Sequence, residues 1–112
     1  MLRDEAVVLD ILNAAELLKE LIEGFTFDSF AADIRTRLSV QHQLIVMGEA
    51  TKRLSPEFRA AHPEIPWRGI AGLRDVVVHN YDTIDLEIIW ETATQKVAEL
   101  IAVLPTLIPP RA

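Results

Sequence analysis

An all-α fold, an antiparallel up-and-down four-helix bundle with one short extra helical turn, is what this 112-residue sequence predicts. Three observations carry that expectation. Apolar residues recur at helical spacing through most of the chain. Residues that start and stop helices divide the pattern into four long segments with short joins. The one run with strand propensity, Val76-Val77-Val78, has no second strand candidate to pair with, so it reads as helix.

The first segment opens at Asp4, a capping residue, and places Val7, Val8, Ile11, Leu12, Ala15, Leu18, Leu21 and Ile22 on one broad face. Gly24 ends it, because glycine accepts the left-handed conformation found just past a helix. Thr26 or Asp28 starts a second, longer helix, predicted to run unbroken to about Leu54. Its inward residues are Phe30, Ile34, Leu38 and Ile45, with Leu44, Met47 and Leu54 one stripe over. Ser55-Pro56 breaks that helix and begins the extra turn, with proline at its first position. Pro63 and Pro66 punctuate the next stretch.

A third helix is expected from about Trp67 to His79, with Ile70, Leu73, Val76 and Val77 inward. The fourth starts near Asp85, carries Leu86, Ile89, Trp90, Ala93, Val97, Leu100, Ile101 and Leu104, and stops at Pro105. Beyond about residue 105 the tail is expected to fray. Residues 1–112 form one domain on this reading, long enough to bury a core without staples. The apolar faces are wide for so small a bundle, which points to a dimer interface on part of that surface.

Composition narrows the function. There is no cysteine, so disulfide and thiolate chemistry are excluded. No apolar run approaches the ~18–20 residues that span a bilayer. The N-terminus opens on Arg3, Asp4 and Glu5, without the layout of a signal peptide. A soluble, cytoplasmic protein with no membrane partner is the expectation. His42, His62 and His79 lie on three different segments, so no metal site is expected, and no cofactor. No glycine-rich phosphate loop or recognisable serine nucleophile is present. Trp67 and Trp90 are expected to pack in the bundle.

The net charge of −6 argues against a general nucleic-acid binder. The charge is uneven, however. Residues 52–74 hold Lys52, Arg53, Arg59, Arg68 and Arg74 against Glu57 and Glu64, a local balance of +3 that leaves −9 elsewhere. Lys52, Arg53 and Arg68 are thereby candidate RNA-binding residues. A solvated basic loop is the plain alternative.

That stretch leads into Arg74-Asp75-Val76-Val77-Val78-His79-Asn80-Tyr81. Arginine stays charged and offers a planar fork of donors suited to phosphate oxygens. Histidine exchanges a proton near neutral pH. The pair suffices for RNA transesterification, in which the ribose 2′-hydroxyl is the internal nucleophile and no metal is needed. Asp75, one turn before His79, is placed to hold the imidazole ring. On a helix, Arg74 and Tyr81 share nearly one face, whereas Arg74 and His79 stand about 140° apart around the axis. Either the arginine reaches round, the helix ends near His79, or a second copy completes the site; the spacing leans toward the last. A lone arginine and histidine near a helix end also cap carbonyls or pair with acids, the plain structural alternative. Arg35, His42 and Glu49, seven apart, form a further polar stripe that reads as a solvated or ion-paired face or as support for a site.

Arg74, four residues, His79, one residue and Tyr81 resemble the signature of HepT-like toxins of the HEPN superfamily. Gly48-Glu49-Ala50, His62-Pro63-Glu64-Ile65-Pro66-Trp67, Gly72-Leu73-Arg74 and Trp90 stand in the family's order, so the resemblance covers roughly residues 28–100. It implies a HEPN-like bundle that forms a homodimer and brings two copies of the motif together. It implies the toxin of a type VII toxin-antitoxin system: a metal-independent endoribonuclease that cleaves cellular RNA such as tRNA. Arg74 and His79 would be the catalytic pair, with Asp75 and Asn80 supporting them. Asp75 stands where the family often has asparagine. The resemblance also implies a partner, an MntA-type nucleotidyltransferase antitoxin that transfers AMP from ATP to Tyr81. A non-catalytic HEPN binding subunit for such a transferase is the alternative within the same resemblance.

Overall fold

The structure, a computed structural model, describes residues 2–79 and 85–110, with His79 described by its backbone. Among these residues the regular elements are all helical. They are α1 (Arg3–Ile22), α2 (Phe27–Ala32), α3 (Ile34–Thr51), α4 (Pro56–Ala61), α5 (Trp67–Ala71), α6 (Leu73–His79), α7 (Leu86–Glu91) and α8 (Val97–Val103). A π-helical turn over Thr92–Lys96 joins α7 to α8, and a 3₁₀ turn over Leu104–Leu107 follows. The all-α expectation holds.

Helices α1 and α3 form the central pair. The π turn, α8 and the 3₁₀ turn lie along α1, α5 and α6 lie on α3, and α2 bridges α3 and α7. The buried seam runs through Val8, Ile11, Leu12, Ala15 and Leu18 of α1, Val40, Leu44 and Met47 of α3, and Ile89, Val97, Leu100 and Leu104. Among the described residues no helix is long and apolar enough to cross a membrane.

Several element boundaries differ from the sequence-based expectation. The long second helix is two helices, because Asp33 leaves the helical conformation (φ −103°, ψ 98°) and turns its carboxylate to accept from the Thr36 N–H at 3.1 Å. An internal aspartate thus ends one helix and caps the next. The break frees α2 to swing Phe30 fully into the core against Trp90, with ring centroids 5.1 Å apart. It also leaves Ile34 and Leu38, expected to face inward, each 58% exposed. Val40, at the next turn, takes the buried position.

The third helix is likewise jogged at Gly72, which separates α5 from α6. After that jog Val77 is buried, whereas Val76 is 40% exposed where it was expected inside. In the last helical run, the Thr92 and Thr94 hydroxyls donate to the carbonyls of Ile88 and Trp90, both at 2.8 Å. Such back-bonding accompanies the widened π turn. Where fraying is expected from about residue 105, Leu104–Leu107 form the 3₁₀ turn, and Leu107 and Ile108 lie against the core. Gly24 does end the first helix region with φ +81°.

Asp4 does not cap α1, which starts one residue earlier. Its carboxylate instead accepts from the Ser55 N–H at 2.9 Å and the Ser55 hydroxyl at 2.7 Å. The same hydroxyl accepts from the Phe58 N–H at 3.1 Å, capping α4 with Pro56 in its first turn. Asp4 therefore ties the start of α1 to the loop that follows α3. The two Ser55 hydrogen bonds hold its carboxyl below the ordinary value of 3.8. A depressed folded-state pKa contributes stability that is present above the unfolded value and is lost as pH falls through the folded value. Asp4→Asn is expected to lower the melting temperature by a margin that is complete above about pH 4 and closes as the medium is acidified further. A margin unchanged down to pH 2, in melts followed by circular dichroism, would contradict this role.

Candidate active site

The site rests on a close crossing of helices. Gly48 of α3 is buried beneath the α5–α6 junction, and an added Cβ would lie 2.9 Å from the Arg74 nitrogen, 3.0 Å from the Arg74 Cβ and 3.1 Å from the Ala71 carbonyl oxygen. Two of these neighbours are backbone, so a side chain at position 48 cannot be accommodated by rotating a flexible tip. Gly48 is thus the position at which α3 lets the backbone of α6 approach.

The next residue, Glu49, projects beside the crossing. Its Oε1 lies 2.9 Å from Arg74 Nε, an ion pair between the two helices. Asp75 Oδ1 lies 3.3 Å from Arg74 Nη1. The Arg74 side chain is 36% exposed and Glu49 and Asp75 about half exposed, so the guanidinium sits at the rim of the crossing. It has protein on its Nε edge and solvent within reach of its other donors.

The backbone of His79 lies in α6, and positions 74 and 79 stand about 140° apart on that helix. The His79 side chain, Asn80 and Tyr81 lie outside the described residues. The expectation that Asp75 holds the His79 ring therefore concerns a group outside the description; the contact that is described is the one from Asp75 to Arg74.

The basic stretch ahead of the motif is partly structural. Arg53 pairs with Asp10 of α1 at 3.3 Å. Arg59 donates to the Leu54 carbonyl at 3.3 Å, satisfying the chain as it leaves α3. Lys52, at the end of α3, and Arg68, in α5, are exposed. His62 stacks near Phe58, with centroids 4.6 Å apart, and its carbonyl accepts from Trp67 Nε1 at 3.0 Å. Trp67 is thereby buried with its N–H satisfied, which fixes where α5 begins. Arg35 and His42 are exposed, and of the stripe they form with Glu49 only the glutamate reaches the motif. Among the described residues no group of histidines and carboxylates could hold a metal ion.

The sequence marks Glu49 as one of three residues on a polar stripe and as part of Gly48-Glu49-Ala50, without placing it against Arg74. The overlooked signal was the glycine beside it, since a glycine inside a helical pattern marks a close approach.

The family description for HepT-like ribonucleases matches residues 11–107. The chain belongs to this family. A probable ribonuclease HepT of Thermococcus cleftensis is 36% identical over 81% of this chain and 83% of its own length. A candidate RNase of Caldanaerobacter subterraneus is 42% identical over 80% of each chain. Another, of Methanocaldococcus jannaschii, is 39% identical over 82% of this chain and 76% of its own. No solved structure gives a significant match.

The crossing makes a direct prediction for this HepT-like chain. Gly48→Ala is expected to cost about 1–3 kcal/mol through overpacking against backbone, read as a lower urea midpoint at unchanged m-value. A midpoint equal to that of the parent protein would show that α6 yields freely.

Proposed function

We propose that this protein is a ribonuclease toxin that cleaves cellular RNA without a metal, using Arg74 and His79. The observation that carries the reading is Arg74 itself. In a chain of the HepT-like ribonuclease family, the motif arginine is held by a carboxylate at a buried glycine crossing while part of its fork remains open. A fixed, partly exposed guanidinium is what a phosphodiester needs when charge builds on its non-bridging oxygens.

In the proposed step the ribose 2′-oxygen attacks phosphorus, forming the 2′,3′-cyclic phosphate as the bond to the 5′-oxygen breaks. His79 takes the proton from the 2′-hydroxyl, and an imidazolium returns one to the departing 5′-oxygen. Arg74 balances the charge of the pentacovalent phosphorane. Lys52, Arg53 and Arg68 would serve RNA binding outside the reacting centre, Lys52 and Arg68 with open side chains and Arg53 after release from Asp10.

A homodimer fits this chemistry, because positions 74 and 79 diverge around α6 and a second copy supplies the missing group. Its support is exposed apolar surface: Ile34 and Leu38 on α3 and Val76 and Val78 on α6, the two helices that cross at the site, and Ile88 on α7. Burying such side chains against a second copy is worth roughly 25 cal/mol per Å².

The control proposed for the toxin is a nucleotidyltransferase antitoxin in a type VII system. The Tyr81 oxygen would attack the α-phosphorus of ATP, lose its proton and release pyrophosphate, leaving AMP on the ring. Seven residues after Arg74 in the sequence, the new phosphodiester would bring negative charge to the arginine and compete with RNA. A non-catalytic subunit of the same transferase is the second reading, favoured by the two carboxylates that already neutralise Arg74.

Two experiments test these readings. Purified protein, shown by mass to be unmodified, is expected to cleave total cellular RNA in the presence of chelator. His79→Ala should slow the reaction by about 10²–10⁴-fold with an unchanged circular dichroism spectrum. A His79→Ala protein as active as the parent removes His79 from the chemistry, and inactivity of both favours the binding subunit. Separately, the cognate transferase with ATP is expected to add the mass of AMP to the parent protein and none to Tyr81→Phe. Equal labelling of the two would move the acceptor elsewhere.

A further inference from the structure

We infer that Glu49 is the positioning residue of the site, setting the guanidinium of Arg74 for the phosphate. The inference rests on the ribonuclease reading for its catalytic consequence, though not for its geometry.

Arg74 has a long side chain with roughly 2 kcal/mol of rotamer entropy. At the rim of a helix crossing it would otherwise sample many directions. Three features restrict it. Gly48 lets the Arg74 backbone come down against α3, within 2.9 Å of where a Cβ would be. The following residue on α3, Glu49, then has its carboxylate beside the Nε edge and forms an ion pair there, Oε1 to Nε 2.9 Å. A carboxylate paired at Nε restrains the guanidinium from that edge and leaves the terminal nitrogens as the donors for two parallel N–H bonds to a phosphate.

Asp75 is placed differently. It approaches a terminal nitrogen, Nη1, from the same helix at 3.3 Å, the end a phosphate would use. The two carboxylates around one arginine therefore have opposite consequences. Glu49 orients the group from the side that the substrate does not need. Asp75 occupies the side that the substrate does need, and its contact gives way when RNA arrives.

The kinetic signatures separate the two. Loss of orientation is felt where charge develops, so Glu49→Ala is expected to lower kcat about 10²-fold, the scale of an ångström-sized misplacement, with KM changed by less than about threefold, the scale of a contact worth a fraction of a kcal/mol. Glu49→Gln, which keeps the side chain's shape without its charge, is expected to retain more of the rate than Glu49→Ala. Asp75→Asn should lower KM, since a competitor is removed, and its effect should shrink at high salt. Glu49 is about half exposed, so its variants are expected to fold, checked by circular dichroism.

The decisive experiment pairs single-substrate RNA cleavage with the NMR signal of the Arg74 Nε–H, assigned by its loss in Arg74→Lys. Support is a parent protein that cleaves, a Glu49→Ala protein with depressed kcat and near-normal KM, and an Nε–H that is protected from exchange only when Glu49 is present. A Glu49→Ala protein with parental kcat overturns the inference, as does one whose only change is a raised KM. If the parent protein itself does not cleave, the ribonuclease reading fails. The Nε–H signal then decides alone: protection lost in Glu49→Ala upholds the positioning contact, and equal exchange in both proteins overturns it.

Discussion

A hydrogen atom where every other residue carries a side chain sets the position of α6. At Gly48 the backbone of Arg74 and the carbonyl of Ala71 approach α3 more closely than any Cβ would permit, and the site follows from that approach. Glu49 is the next residue on α3, and Arg74 lies directly over the glycine, so their meeting is fixed by one helix crossing instead of by two independent loops. Elements on either side hold the crossing in place. Trp67 buries its ring and donates to the His62 carbonyl at the entry to α5, while Asp4 clamps Ser55 where the chain leaves α3. Both anchors act on the connection between the two helices that cross. Stability and site geometry are therefore coupled through residues that touch no substrate.

Under the proposed function, the electrostatics bear on how an acidic chain would present a phosphate site. A net charge of −6 repels RNA at long range, and most of the basic stretch preceding the motif is occupied locally: Arg53 by Asp10, Arg59 by a carbonyl, Arg74 by Glu49 and Asp75. Surface ion pairs of this kind are individually weak, about 0–1 kcal/mol, so a polyanion can displace those on the outer side. Under the proposed function this favours selectivity over affinity. A phosphate must offer better geometry to Arg74 than Asp75 does, and a single well-placed diester can do so where diffuse backbone charge does not.

Much of this architecture was legible in the sequence, and the exceptions have physical causes. The α1 face, the Gly24 stop, the Ser55-Pro56 turn and the burial of Trp67 all follow from periodicity and local capping chemistry. The breaks at Asp33 and Gly72 do not, because each leaves the apolar spacing on both sides nearly intact. A side chain that caps the following helix looks, in sequence, like any polar residue on an outer face. The same ambiguity misplaced Ile34, Leu38 and Val76, whose phase depends on where the preceding break falls. Asp4 was recognised as a hydrogen-bonding residue near a helix start, but its partner is 51 residues away, a distance that no local rule spans. For the site, the motif offers Arg74 and His79 as the proposed pair, whereas the Glu49 contact required the tertiary crossing.

Residues that failed to go inside bear on assembly. A monomer of this size gains by burying Ile34 and Leu38, yet the Asp33 break leaves them in solvent at the start of the helix that carries Glu49. Val76 and Val78 are exposed on α6, on either side of buried Val77, and α6 also carries Arg74 and the His79 position. On the proposed reading, the separation of positions 74 and 79 by about 140° around the helix favours a second copy as the source of one of the two groups, and the exposed apolar residues are where that copy would pack. Association and catalysis then share their structural elements on that reading: the break that removes apolar surface from the monomer core leaves that surface at the start of the same helix that carries Glu49 near its end.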